Sequence, residues 1–142
     1  MNTDLLSLEE LSTQEMATRM GIDADELSCR EQAGDLFSYV KPRRSSERMY
    51  PAYQLAPEIY PELLRTAMEV LGTDGPLLET FFSWRDRDLG GLNVREVLAG
   101  RPFEGFEPDE EAAWLLSLPA PRRKEAVMGA LERMRAVAQD WG

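Results

Sequence analysis

The sequence predicts a mostly α-helical protein, with an N-terminal winged helix-turn-helix that includes a short β-hairpin and a C-terminal helical domain. Three observations predict this fold class. Two short capped helices meet at a glycine, two aromatic-rich strands flank a basic connection, and the remaining segments carry apolar residues at helical spacing. The division falls near residue 55, which gives a winged module over residues 1–55 and a helical domain over residues 56–142.

The composition of the 142-residue chain excludes several kinds of chemistry. It has no histidine and one cysteine, which excludes zinc sites of Cys and His, histidine-dependent nucleophilic catalysis and an intrachain disulfide. Asp86 and Asp88 have the chemistry to bind Mg²⁺, but they alternate with Arg85 and Arg87, which we expect to pair with them. We therefore expect a protein that binds and does not catalyse, with no metal or cofactor. The chain shows no signal-peptide pattern and no apolar run of about 18 residues. We therefore expect the protein to lie in the cytoplasm and away from the membrane.

The net charge of −10 is unevenly distributed along the chain. Residues 1–36 hold nine acidic and two basic side chains, residues 37–55 hold four basic and one acidic, and residues 56–142 hold sixteen acidic and ten basic. Because a surface that binds nucleic acid has to be basic, any DNA contact is confined to residues 37–55 and their surroundings.

Two capping patterns mark the helix-turn-helix. Ser12 and Glu15 form a capping box for a first helix that ends at Gly21, and Asp23 caps a second helix that runs to about residue 33. The small, glycine and apolar positions of the motif are filled by Ala17, Gly21 and Leu27. This spacing predicts two helices that cross closely at a tight turn.

A β-hairpin follows the two helices. Strands are predicted over residues 36–40 and 48–55, and Pro51 predicts that the second strand lies at a sheet edge. This hairpin is the wing, and its basic connection is where such a protein contacts phosphates. The candidate DNA-binding residues are Ser28, Arg30 and Gln32 on the second helix and Lys41, Arg43, Arg44 and Arg48 on the wing.

Acidic residues at the start of the second helix oppose DNA binding. Asp23, Asp25 and Glu26 occupy the end of the helix that would enter the major groove, where phosphates repel carboxylates. The same residues also complement the helix macrodipole. Two interpretations stay open: a helix that reads DNA, and an inherited fold used for packing or protein contact. The basic wing fits either phosphate contact or a solvated loop.

Five helices are predicted in the C-terminal domain, over residues 57–71, 77–84, 94–99, 107–118 and 121–141. Gly90 and Gly91 form a tight turn, and Asn93 caps the short third helix, which ends at Gly100. The last helix carries an apolar stripe formed by Val127, Leu131, Met134, Ala138 and Trp141. Such a stripe predicts a core face or a dimer interface.

Three cations begin that last helix, at the positive end of its macrodipole. They are Arg122, Arg123 and Lys124. Pairing with nearby acidic residues and an acidic partner are both possible reasons for them.

The segment from Trp84 to Leu98 resembles the C-terminal domain of Xre/MbcA/ParS-type antitoxins, in which a tryptophan precedes Leu-Gly-Gly and a Thr-Pro-x-Glu-Leu-Leu helix. Leu89, Gly90, Gly91, Glu96 and Leu98 match that pattern, while Asn93 and Val94 replace Thr and Pro. Upstream, residues 34–37 and 48–54 are similar to the Gly-x-Leu-Phe and Arg-Tyr-Pro-Ala-Phe-Gln stretches of related helix-turn-helix proteins. The likeness covers about residues 12–104.

The resemblance implies a DNA-binding, toxin-neutralising or autoregulatory protein, usually a homodimer, whose C-terminal domain meets a toxin that acts on NAD. The partner-binding residues it implies are Trp84, Leu89, Gly90, Gly91, Leu92, Val94 and Leu98. We therefore expect an antitoxin-like transcriptional regulator that binds promoter DNA and a toxin or other protein. The alternative is an acidic protein-interaction module or adaptor that uses a degenerate helix-turn-helix to bind a protein and not DNA.

Overall fold

The structure is a computed structural model that describes residues 3–41 and 47–141, with side chains described as far as residue 138. These residues are mostly helical and include a small three-stranded antiparallel sheet, which confirms the predicted fold class. The chain divides into two compact units, Met1–Leu78 and Glu79–Gly142. The first unit therefore holds the winged module together with residues 56–78.

In the first unit the two helices of the helix-turn-helix and the two wing strands occur in the predicted order, but the strands are shorter than the predicted 36–40 and 48–55, and one further strand and a 3-10 helix were not predicted. The elements are β1 (Glu10–Leu11), α1 (Thr13–Met20), α2 (Ala24–Gln32), β2 (Tyr39–Val40), β3 (Arg48–Pro51), a 3-10 helix (Ala52–Leu55), α3 (Glu62–Leu71) and α4 (Gly75–Ser83), which continues into the second unit. The second unit holds a 3-10 helix (Arg87–Leu89), α5 (Val94–Ala99), α6 (Glu110–Ser117) and α7 (Ala120–Trp141).

The helix-turn-helix forms from the local signals in its sequence. Ser12 Oγ accepts from the Glu15 N–H at 3.2 Å, and the Ser12 N–H donates to the Glu15 carboxylate at 2.9 Å. The hydrogen bond from the Ser12 N–H to the Glu15 carboxylate lowers the pKa of Glu15, and interaction of the carboxylate with the Ser12 hydroxyl lowers it further. Gly21 takes the left-handed conformation with φ 73°, and Asp23 caps α2 through the Glu26 N–H at 2.8 Å. Ala17 and Leu27 are fully buried between the helices.

The sheet differs from the prediction in the place of its second wing strand. β3 pairs with β2 in the register Tyr39↔Met49 and with β1 in the register Leu11↔Tyr50, so the order is β1-β3-β2 and β3 is central. The prediction that Pro51 confines this strand to an edge was wrong. Pro51 is the last residue of β3, so its missing N–H falls at the end of the ladder, where it is tolerated.

Two helices begin later than their apolar pattern predicted. α3 starts at Glu62 and not at residue 57, because Pro61 lacks an N–H and disfavours helical geometry in the residue before it. α6 starts at Glu110 and not at residue 107, because Asp109 caps it by accepting from the Ala112 N–H at 2.9 Å.

The start of α4 packs directly on the wing. A Cβ added to Gly75 would lie 1.8 Å from the carbonyl oxygen of Ser38, so only glycine, which has no Cβ, fits at this position. Asp74 lies just before the helix and accepts from the Leu77 N–H at 3.3 Å. α4 therefore begins two residues earlier than predicted, with Pro76 in its first turn.

In the second unit α7 packs against α5. Val127 and Leu131 of the apolar stripe are fully buried, whereas Met134 and Ala138 are half-buried. The side chain of Trp141 lies outside the described residues. The first part of the stripe is therefore a core face, which is one of the two roles predicted for it. The rest of the stripe continues towards the surface.

Candidate DNA and partner surfaces

An open polar concavity of about 490 Å³ lies where α2 meets the wing. Its lining residues are Thr13, Ser28, Glu31, Gln32, Leu36, Arg48, Tyr50 and Thr73. Three of the predicted DNA-binding residues, Ser28, Gln32 and Arg48, therefore share one surface although 20 positions separate the first from the last. Ser28 and Gln32 are both exposed.

The carboxylate of Glu31 joins α2 to the wing at the base of this concavity. It accepts from the Tyr50 hydroxyl at 2.5 Å and from the Ser38 hydroxyl. Arg48 Nη1 lies 2.7 Å from Ser38 Oγ and 3.5 Å from Glu31 Oε2. Burial, reinforced by the hydrogen bond to Glu31, raises the pKa of Tyr50 to about 12. This four-residue network, called here the Glu31 network, fixes Arg48 beside α2.

The other described DNA-binding candidates lie outside the lining of the concavity. Lys41 Nζ is 2.6 Å from a carboxylate oxygen of Glu10, whose other oxygen accepts from the Tyr39 hydroxyl at 2.6 Å. Arg30 Nε donates to Glu26 at 3.3 Å, one turn earlier in α2. Arg43 and Arg44 lie outside the described residues.

Carboxylates therefore accompany each described cation of the predicted DNA-binding set. Sequence reasoning did not identify these partners, because Glu10 and Lys41 meet only through the pairing of β1 and β2 with β3. Partly exposed ion pairs contribute about 0–1 kcal/mol, so a phosphate can replace a carboxylate at modest cost. The surface can accordingly offer hydrogen-bonding groups to base edges and a small number of cations to a backbone.

The Leu-Gly-Gly segment of the second unit forms a left-handed turn. Gly90 and Gly91 have φ values of 68° and 83°, and a Cβ on Gly90 would lie 3.1 Å from the backbone of Ala112. Among the residues predicted to bind a partner, Leu89, Leu92 and Val94 are buried in the unit, and Gly90, Gly91 and Leu98 are half-buried. Trp84 is the member of the set that is exposed.

Glu96 organises the interior of this segment. Its carboxylate is 0% exposed and accepts from Arg85 Nη1 at 2.9 Å and from the N–H groups of Asn93 at 3.0 Å and Phe103 at 2.7 Å. Arg85 also donates to the Gly91 carbonyl at 3.1 Å. The glutamate of the antitoxin-like pattern thus holds the turn and the short helix together, a role that the local sequence shows only in its capping box with Asn93.

Arg123 donates to backbone carbonyls, a kind of partner that the sequence did not indicate. Its Nη1 donates to the carbonyls of Val97 at 2.8 Å and Leu98 at 2.9 Å, and its Nε donates to the Leu118 carbonyl at 3.0 Å. The first two are carbonyls at the negative end of α5, where a cation is favoured. Neighbouring Arg122 pairs with Glu125 at 3.9 Å, which is the nearby acidic partner that was predicted.

A groove of about 410 Å³ runs beside the exposed Trp84. Its lining residues are Thr80, Phe81, Trp84, Arg85, Asp86, Arg87, Asp88, Val94, Ala130, Arg133, Met134 and Val137, and we call it the Trp84 groove. Arg133 lies 3.3 Å from Asp86 and 3.1 Å from Asp88, so it bridges the two aspartates, whereas Arg85, predicted to pair with them, pairs with Glu96. The described residues contain no cluster of three or more potential metal ligands of the His, Cys, Asp and Glu types.

Comparison of the chain with protein-family models, with curated proteins and with solved structures finds no match in any of the three. Within the described part of the chain, no helix combines the length and the apolar character needed to cross a membrane.

Proposed function

We propose that the chain is an antitoxin-like transcriptional regulator, in which the winged helix-turn-helix binds DNA and the C-terminal helical unit binds a protein. The observation that carries the proposal is the shared surface of Ser28, Gln32 and Arg48 at the junction of α2 and the wing. A helix-turn-helix that reads DNA needs outward polar side chains on its second helix and a cation nearby for the backbone.

Each residue of this surface has a distinct role in the proposal. The Gln32 amide and the Ser28 hydroxyl hydrogen-bond to base edges, for which glutamine has the geometry to recognise adenine. Arg48 binds a phosphate while the Glu31 network holds its guanidinium in place. Lys41 adds a second phosphate contact, and Arg43 and Arg44 belong to the same wing connection.

The acidic start of α2 opposes this function less than its composition indicates. Asp23 uses its carboxylate to cap the helix, and Glu26 pairs with Arg30. Both charges are therefore partly compensated within the chain. Asp25 is the other acidic residue in the first turn of α2.

The test is binding of the full chain to the DNA upstream of its own gene, measured by fluorescence anisotropy over a range of salt concentrations. We expect a steep salt dependence and loss of binding when Arg43→Ala and Arg44→Ala are combined. Arg48→Ala should lower the slope of log K against log salt by about 0.9, the value for one phosphate. Arg65→Ala is the matched control, because Arg65 pairs with Asp35 and is not among the residues that line the concavity. Salt-insensitive binding, or none at low salt, contradicts the proposal.

A second candidate is the acidic protein-interaction module. The observation that favours it is the carboxylate beside each of Arg30, Lys41 and Arg48, since these pairs leave little uncompensated positive charge on the described wing. The partner would then be a basic protein that engages the acidic residues. A stoichiometric partner that co-purifies after nuclease treatment, together with absent promoter binding, supports this candidate over the regulator.

The partner side of the proposal rests on the second unit. Trp84 is the exposed member of the predicted partner-binding set, and tryptophans are among the residues that contribute most to protein interfaces. Co-expression with the product of the neighbouring gene tests it directly. A complex that survives purification and is lost on Trp84→Ala supports a toxin or other protein partner at this unit, and retention of the complex by the variant places the contact elsewhere.

A further inference from the structure

We propose that Glu10 and Glu31 are specificity-determining residues, which weaken the binding of this chain to non-specific DNA by holding a wing cation in one position beside a negative charge. The cations are Lys41 and Arg48, the two of the wing that lie within the described residues. The inference rests on the proposed function, since it concerns the selectivity of the same DNA contact. Its basis is a series of three side chains, a tyrosine, a glutamate and a cation, which occurs twice and which we call a clamp.

The first clamp joins β1 to the end of β2. One oxygen of the Glu10 carboxylate accepts from the Tyr39 hydroxyl at 2.6 Å, and the other accepts from Lys41 Nζ at 2.6 Å. The tyrosine thus orients the carboxylate, and the carboxylate holds the ammonium group. A lysine has a flexible four-carbon stem that can follow a phosphate. Held at Glu10, Lys41 instead presents its charge at one place.

The second clamp joins α2 to β3. One oxygen of the Glu31 carboxylate accepts from the Tyr50 hydroxyl at 2.5 Å, and the other lies 3.5 Å from Arg48 Nη1. Ser38 Oγ reinforces the pair, since it donates to Glu31 and accepts from Arg48 at 2.7 Å. The same order of tyrosine, glutamate and cation therefore arises from two different pairs of elements.

In both clamps the cation is more exposed than the carboxylate. The side chain of Lys41 is 39% exposed and that of Glu10 is 29% exposed, while the corresponding values are 49% for Arg48 and 23% for Glu31. A phosphate can therefore contact the cation without first displacing the carboxylate. The carboxylate stays close enough to repel a phosphate that arrives in any other position.

This arrangement affects specific and non-specific binding unequally. Non-specific binding depends almost entirely on phosphates, so a carboxylate beside each cation weakens it directly. Specific binding also has the contacts of Ser28 and Gln32 with base edges, while the phosphate contacts fix the orientation of the duplex. In the specific register a cation that is already in place needs no further ordering, whereas in other registers it cannot move to the phosphate. The carboxylates therefore raise selectivity by opposing the wrong complex.

The test compares the affinity of the full chain for two labelled duplexes of equal length, the promoter fragment and a scrambled version of it, by fluorescence anisotropy at one salt concentration. We expect Glu10→Gln to tighten binding to the scrambled duplex by about threefold to tenfold and binding to the promoter by less than about twofold. Glu62→Gln is the matched control, because it changes the net charge equally at an exposed residue of the same unit that belongs to neither clamp. Equal gains on the two duplexes, or a gain no greater than that of the control, overturn the inference.

A second comparison shows whether Glu10 acts through the cation that it holds. In a Lys41→Met background, Glu10→Gln should change binding to the scrambled duplex no more than Glu62→Gln does, because the cation that it would release is absent. A Glu10→Gln effect that persists without Lys41 contradicts the clamp. Circular dichroism checks that each variant is folded. If Glu10→Gln unfolds the chain, Glu31→Gln with and without Arg48→Met makes the same comparison at the second clamp.

Failure of the inference and failure of the DNA-binding function give different results. A wild-type chain that prefers its promoter, by a ratio of affinities that Glu10→Gln leaves unchanged, contradicts the inference and leaves the regulator intact. A wild-type chain that binds neither duplex contradicts the regulator. In that case the inference is supported if Glu10→Gln binds the scrambled duplex, and it is overturned if the variant binds neither duplex.

Discussion

The guanidinium of Arg123 donates to the carbonyl oxygen of Val97 at 2.8 Å, which joins the first turn of α7 to the last turn of α5. Two further carbonyls, those of Leu98 and Leu118, accept from the same side chain. The cation at the unfavourable end of its own helix is therefore placed at the favourable end of another.

Replacement of Arg123 tests this arrangement. Arg123→Ala removes the donor to the Leu98 carbonyl and leaves the Val97 carbonyl with the Gly100 N–H at 3.3 Å, so we expect the free energy of unfolding to fall by about 1–3 kcal/mol. Arg122→Ala should change it by less than about 0.5 kcal/mol, since the ion pair of Arg122 with Glu125 is exposed. Urea denaturation followed by circular dichroism measures both, and equal effects at the two positions would contradict the assigned role.

Replacement of Glu96 tests the interior of the Leu-Gly-Gly segment. Glu96→Gln removes the charge that Arg85 faces and substitutes an amide donor for one of the acceptor oxygens. We expect the free energy of unfolding to fall by about 3 kcal/mol. The Phe103 N–H, which donates to Glu96 at 2.7 Å, should lose protection in hydrogen exchange. Exposed Glu111→Gln serves as the control and should leave both measurements unchanged.

Two glycine substitutions should change the stability of the chain in opposite directions. Gly75→Ala places a Cβ against the Ser38 carbonyl, which is backbone and cannot rotate away, so we expect a loss of at least about 2 kcal/mol. Gly129→Ala in α7 meets only the flexible end of Arg133 at 3.5 Å and should stabilise the helix by up to about 1 kcal/mol. Thermal denaturation of the two variants compares them, and a stable Gly75→Ala variant would contradict the close packing of α4 on the wing.

The raised pKa of Tyr50 makes stability depend on pH at the alkaline end. The pKa rises from the ordinary value of 10.0 to about 12 in the folded chain, so the contribution of Tyr50 is fully present below pH 10 and is lost as the pH rises through 12. The difference in unfolding free energy between the wild type and Tyr50→Phe should shrink over that window. Phenolate absorbance, compared between the two proteins, should show one tyrosine that ionises later than the rest. A Tyr50 that ionises near pH 10 would contradict the Glu31 network.

Local signals made much of the fold predictable. The caps formed by Ser12 with Glu15 and by Asn93 with Glu96 span four residues each, and both occur in the structure as the sequence indicates. The start of α3 was missed because apolar spacing was given more weight than Pro61. The two-residue strand β1 carries too little pattern to be recognised alone, and without it the central position of β3 was not predictable.

The candidate sites depended more on contacts between distant residues. The concavity that unites Ser28, Gln32 and Arg48 was compatible with the winged arrangement, but the carboxylates of Glu10 and Glu31 reach the wing only after the sheet forms. In the second unit, the apolar residues around the Leu-Gly-Gly turn were predicted to meet a partner because hydrophobic character alone does not distinguish a core residue from an interface residue. Leu92 is fully buried within the unit, as a core residue is.

Glu31 receives all the hydrogen bonds of its network from the wing, although it belongs to the second helix. Positions 31, 38, 48 and 50 are therefore expected to covary in natural variants of this sequence. A chain that loses the carboxylate at position 31 would leave the Tyr50 hydroxyl without its acceptor, so phenylalanine at position 50 is the compatible replacement. In the proposed regulator, the residues at positions 28 and 32 can then diverge with the operator, while the four positions of the network change only together.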